Sequence, residues 1–154
     1  MKSFRFGLPI AVAIMAGMVL SAPSGAAESA KVHRIAIQVD QDDPALMNLV
    51  LNNVTNLMEF YHSKGEQTQI EVVAYGPGLN MFRDDKSPVK ARLKSIQSGS
   101  FPSKVAYAAC GNTMTNMEKA EGHAIPIVPE AKVVIAGVVR LTELQEQGWA
   151  YIRP

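Results

Sequence analysis

Lys104-Val105-Ala106-Tyr107-Ala108-Ala109-Cys110-Gly111-Asn112-Thr113-Met114 is the stretch on which the reading of the fold turns. The apolar run has strand length and breaks at once into Gly-Asn-Thr, so it predicts a buried strand, a tight turn and the start of a helix. This places the only cysteine at the carboxyl end of a strand. Open α/β sheets carry their chemistry at that end.

On the amino-terminal side the same alternation of element types recurs. His33 to Val39 predicts a first strand, and Asp40-Gln41-Asp42-Asp43-Pro44 leads into a helix with Asp43 as N-cap and Pro44 at its first position. That helix is expected over 45–63, with Val50, Val54, Leu57, Met58 and Tyr61 on its buried stripe, Asn48, Asn52, Asn56 and Glu59 on a wet face, and Gly65 closing it. Gln69 to Tyr75 predicts a second strand that ends in Gly76-Pro77-Gly78, where two glycines let backbone come close to a neighbour. Asp40, Tyr75, Gly76 and Gly78 are therefore candidates for a pocket wall. A loop over 79–87 and a helix from Pro88 complete this half, and the basic residues of 83–94 are expected on a solvated face.

Beyond the cysteine, a helix is expected to stop at Gly122, a strand to cover 132–138, a short helix 139–147, and a final strand the last residues. Strands alternating with helices call for a single three-layer α/β/α domain with a mostly parallel sheet of about five strands, the fifth at an edge with its direction left open.

Residues 1–27 are set apart from this domain. Lys2 and Arg5, an apolar stretch from Leu8 to Leu20 and the small residues up to Gly25-Ala26-Ala27 have the form of an export signal, with cleavage after Ala27 or Ala26. The apolar stretch is shorter than the ~20 residues a bilayer core requires, so a removed signal is expected rather than a membrane span. The mature protein, 28–154, is then expected in the periplasm. Loss of Lys2 and Arg5 takes Lys plus Arg from 15 to 13 against 14 Asp plus Glu, so the net charge moves from +1 to −1. A near-neutral chain of this kind is not expected to bind nucleic acid.

A lone cysteine makes no internal disulfide, so in an oxidising compartment it is either buried and inert or kept for its reactivity. Position admits the second reading, because the free N–H groups of Gly111, Asn112 and Thr113 at a helix start stabilise a thiolate. Position equally admits a cysteine packed as a small apolar residue. His33, His62 and His123 are expected away from Cys110, so no base for a cysteine hydrolase is in view. One cysteine and dispersed histidines also make no zinc or copper site, and the acidic cluster of 40–43 reads as a helix cap rather than a cation loop. No metal and no cofactor is expected.

Tyr75-Gly76-Pro77-Gly78, the Val105–Cys110 run with Gly111-Asn112-Thr113-Met114, then Gly137-Val138, Leu141, Leu144-Gln145, Gly148 and Tyr151-Ile152-Arg153-Pro154 together resemble the DsrE/DsrF-like family, in particular its exported branch. The resemblance covers 33–154. It implies a sulfur-handling α/β domain that assembles into homo-oligomers, and a single cysteine at the strand-to-helix junction that holds sulfur as a persulfide and exchanges it with a donor or acceptor protein. Cys110 is the position that matches. The other function in view is a non-catalytic oligomeric protein that binds a small ligand or a partner, with Cys110 packed and unreactive.

Overall fold

The computed structural model describes residues 30–154, so the signal expected over 1–27 lies outside the described residues. Five strands, β1 (Val32–Val39), β2 (Gln67–Ala74), β3 (Lys104–Cys110), β4 (Ala131–Val134) and β5 (Ala150–Ile152), form one sheet in the order β4-β3-β2-β1-β5. Every pairing is parallel, including that of β5 with β1 at the edge. The direction that the sequence leaves open is thus settled. The β-branched run of β1 and β2 suits a sheet covered on both faces, where side chains of either parity are buried.

The two faces are covered very unequally. Ile35, Ile37 and Val39 of β1, Ile70, Val72 and Ala74 of β2, and Val105, Tyr107 and Ala109 of β3 form the larger core. Against them pack α1 (Pro44–His62), through Met47, Val50, Leu51 and Val54, and α2 (Lys90–Ser98), through Leu93. Burying each such side chain stabilises the fold by about 2 kcal/mol. The Tyr107 hydroxyl, deep in this layer, donates to the Leu93 carbonyl at 3.1 Å. The methionines of α3 (Gly111–Glu121), Met114 and Met117, lean on the same layer. On the opposite face Ala36, Val73 and Ala108 meet a single helix, α4 (Gly137–Glu146), through Leu141 and Leu144.

Caps at helix ends follow the sequence closely. Asp43 caps α1, its carboxylate accepting from the Ala45 N–H at 2.8 Å, with Pro44 at the first position. Gly122 ends α3 in the left-handed conformation, at φ 75°. Elsewhere the structure corrects the expectations. Gly76-Pro77-Gly78 opens a 3-10 helix, Gly76–Phe82, in place of a turn and loop. β4 stops at Val134, and α4 starts at Gly137, two residues before the expected Val139. The wet asparagines of α1 are partly engaged, since Asn48 and Asn52 accept from the Arg92 guanidinium at 2.6 and 2.8 Å.

The larger correction concerns Arg83. Expected on a solvated face, its side chain is fully buried. Its guanidinium donates to both oxygens of Asp85, at 2.9 and 2.7 Å, and to both oxygens of Glu121, at 2.5 and 2.9 Å. The neighbouring backbone is held as well, since the Val128 N–H donates to the Phe82 carbonyl and the Asp84 N–H to the Pro126 carbonyl, each at 2.9 Å. A planar fork with five donors suits two carboxylates at once. The result ties the segment after the 3-10 helix to the last turn of α3 and to the connection into β4.

Hydrogen bonds from Arg83 take the Glu121 carboxyl well below its usual range, to about 2. A carboxyl whose folded pKa is depressed adds stability that is complete above its unfolded pKa, and that stability is lost as pH falls toward the folded value. In chemical denaturation, wild type is therefore expected to lose stability between about pH 4.5 and pH 2, and Glu121→Gln to lose less over that window. Arg83→Met is expected to lower stability at pH 7 by about 2 kcal/mol, since charged hydrogen bonds are lost while both carboxylates still reach water.

Candidate functional site

The register carries the site. Val39 pairs with Ala74, and Ala74 with Ala109, so the next residues, Asp40, Tyr75 and Cys110, leave three adjacent strands in one row at the carboxyl edge. Strand spacing of about 4.8 Å sets them side by side, and shared parity turns all three toward the face that α4 covers. Cys110 itself pairs with Val134, the last residue of β4. β3 is followed by a helix on one face and β4 by a helix on the other. The crevice between two such strands is where open α/β sheets bind ligands.

Cys110 is the N-cap residue of α3, and its thiol makes no capping hydrogen bond of its own. The side chain is only 4% exposed. Burial pushes the thiol pKa up, but the Thr113 hydroxyl and the N–H groups of Gly137, Thr113 and Asn112 all favour the thiolate, and the net shift is downward. Hydrogen bonds to the charged form outweigh desolvation here. The start of α3 is tied to the connection that leads into α4, since the Asn112 N–H donates to the Ile135 carbonyl at 3.1 Å.

Thr113 is fixed for this role from behind. Its Oγ1 accepts a hydrogen bond from the Gly76 N–H at 2.9 Å, which leaves the hydroxyl hydrogen free to point elsewhere. Gly76 adopts φ 52°, a conformation in which glycine is at ease. Gly76 and Thr113 also border a shallow cleft of about 450 Å³ with Pro77, Asn116 and Met117. Gly111 serves space rather than conformation, because a Cβ there would come within 2.9 Å of the Val134 carbonyl oxygen.

Gly78 is buried against the exit of β1, where an added Cβ would lie 2.4 Å from the Val39 carbonyl oxygen, the close backbone approach that a glycine there permits. Asp40 accepts from the Arg153 guanidinium at 2.8 Å and from the Gln38 amide at 2.9 Å, and the Tyr151 hydroxyl donates to Gln38. Tyr75 stands beside this group. Burial and the negative charge of Asp40 raise its phenol pKa, which keeps it protonated and neutral at ordinary pH. Gln38 is a neighbour of this group that sequence reasoning missed, and Tyr151 and Arg153, which the sequence marks only as part of the family pattern, join it through Gln38 and Asp40.

His33 donates through Nε2 to the Glu66 carboxylate at 2.6 Å and stacks on Tyr61 near the amino end of the sheet, while His123 faces Glu121. Neither is part of the row. Among the described residues no group of three His, Cys, Asp or Glu side chains gathers as a metal site.

No family model matches the chain, and no curated protein does. A solved structure does match, that of MTH1491, a protein of unknown function from Methanobacterium thermoautotrophicum. It is 33% identical, the match covers 79% of this chain and 99% of that one, and the TM-score is 0.66. The chain belongs to the same family as MTH1491. Because the match spans nearly the whole of MTH1491, the β1–β5 domain described here is the family's shared unit.

Thr113→Val is expected to raise the Cys110 thiol pKa, since the hydroxyl donor is lost while side-chain volume is nearly kept, and Thr113→Ser to leave it close to wild type. The pH dependence of iodoacetamide labelling, followed by intact mass, checks this; equal titration in Thr113→Val and wild type would show that the hydroxyl does not act on the sulfur.

Proposed function

We propose that this protein is a sulfur carrier or sulfur-transfer protein in which Cys110 is a persulfide-capable thiol. The observation that carries the reading is the place of the sulfur: Cys110 closes β3 at the carboxyl edge of the sheet and is the N-cap residue of α3. A helix start favours the thiolate, and the thiolate is the nucleophile in sulfur exchange. The resemblance of residues 33–154 to the DsrE/DsrF-like family supports the same reading.

In the proposed step the Cys110 thiolate attacks the outer sulfur of a donor persulfide. A new S–S bond forms at Cys110, the donor's S–S bond breaks, and its electron pair leaves on the donor thiolate. The step is redox-neutral and requires no metal or cofactor. The reverse step, with an acceptor thiolate attacking the outer sulfur on Cys110, delivers it. The proposal includes export by residues 1–27, action in the periplasm, assembly of several copies, and a donor or acceptor protein as partner. No described helix is long and apolar enough to cross a membrane.

The depth of Cys110, 4% exposed, favours a second reading: a non-catalytic oligomeric binding protein with a packed cysteine. One experiment separates the two. Incubation with a persulfide donor is expected to add one sulfur to the wild-type mass and none to Cys110→Ala. Equal gain in both proteins, or none in either, overturns the carrier reading, and slow native labelling that becomes fast on denaturation supports the packed one.

A further inference from the structure

Among the described residues α4 is the only helix on its face of the sheet, and it leaves part of that face bare. Ala106 is open to solvent although β3 has a strand on each side. Beside it runs a groove of about 500 Å³ between α4 and β4. Ala106, Ala108 and Val134 form its floor, and Ala136 and Val139 its wall.

The corner that leads from β4 into α4 projects next to this groove and is apolar. Ile135 is 86% exposed and Val138 62%, and Val133 and Val139 are each about half exposed. Together these side chains show water roughly 400 Å² of apolar surface, the size at which a patch on a monomer marks an interaction site. That is about half of the ~800 Å² that each partner gives to a standard interface, and the groove and its rim lie alongside to supply the rest. β4 is also the edge of the sheet, with no strand on its outer side, and an open edge invites another chain.

The charge on the rim tells what kind of chain fits. Arg140 is held by Glu71 at 2.6 and 2.7 Å, whereas Glu130 and Lys132, at the start of β4, form no ion pair among the described residues. A partner chosen by opposite charge requires a patch of one sign. This patch carries one free charge of each sign, and an apolar projection next to an apolar recess. Such a surface complements itself: in a twofold contact the projection of each copy meets the recess of the other.

We propose that the β4–α4 corner is the contact through which two copies of this chain pair about a twofold axis, each seating Ile135 and Val138 in the groove of the other. The inference rests on the assembly of several copies proposed above, to which it gives a surface. The chemistry of Cys110 plays no part in it.

The test is sedimentation velocity of the purified protein over a concentration series. Wild type is expected to be a dimer or a multiple of a dimer. Ile135→Asp and Val138→Asp alter side chains that are open to water in the single copy, so the core is spared. Each is expected to raise the Kd of pairing roughly 30-fold, the loss of a central anchor. Circular dichroism identifies any corner variant that does not fold, and the other variant is then read. Phe101→Asp changes a side chain that is 92% exposed at the opposite, amino end of the sheet, and is expected to pair as wild type does. A wild type that is monomeric or three-copy at every concentration overturns the proposal. So does a dimer that persists in the folded corner variants, or one that Phe101→Asp breaks and they do not. Persulfide loading is measured separately, so a protein that pairs through this corner without carrying sulfur, or carries sulfur as a monomer, tells the two readings apart.

Discussion

The single crossing of α4 over the second face of the sheet is the constraint on which the site depends. The chain lays down β1 to β4 in one direction, with α1, α2 and α3 on one face, and must then return from one edge to the other to place β5. The return begins at the carboxyl end of β4, next to the end of β3. It therefore brings the start of a second helix close to the start of α3, where the Asn112 N–H donates to the Ile135 carbonyl. A helix start has free N–H groups and the positive end of the dipole, so Cys110, the N-cap residue of α3, sits at the end of that helix that favours negative charge.

Arg83 performs the complementary task on the other face. The connection from β2 to β3 and the connection from α3 to β4 both lie outside regular structure for several residues, and their hydrogen-bonding groups need partners. The guanidinium binds Asp85 on the first and Glu121 at the end of α3, and the bridge between Arg83 and Ile127 adds a short backbone pairing. α3 is thus fixed at its far end by the arginine, near its start by the contact of the Asn112 N–H with the Ile135 carbonyl, and at Thr113 by Gly76. Its orientation toward Cys110 follows from these ties. It buries none of its residues fully, so packing alone would hold it loosely.

The fold class and the place of Cys110 were legible because both rest on local signals: strand-length apolar runs, the Asp43-Pro44 helix start and glycines at helix ends. The row of Asp40, Tyr75 and Cys110 was legible in part, since each closes a strand, and parallel strands in register put such residues together. Arg83 was not legible. Its partners lie 2 and 38 positions away, and a basic residue in a stretch rich in lysine gives no sign that it will be buried between carboxylates. Gly78 shows the same limit, for glycine marks a close approach without naming the neighbour. The early start of α4 was missed because Val138 and Val139 continue the β-branched run of β4, and tertiary placement overrides that preference.

The bond from the Gly76 N–H to Thr113 joins two corners of the sheet edge that lie 37 positions apart in sequence. It fills one of the two lone pairs of the hydroxyl and turns its hydrogen away from Gly76. The exit of β2 and the first turn of α3 are thereby one mechanical unit, so a substitution that shifts the Gly76-Pro77-Gly78 corner also shifts the helix start that follows Cys110.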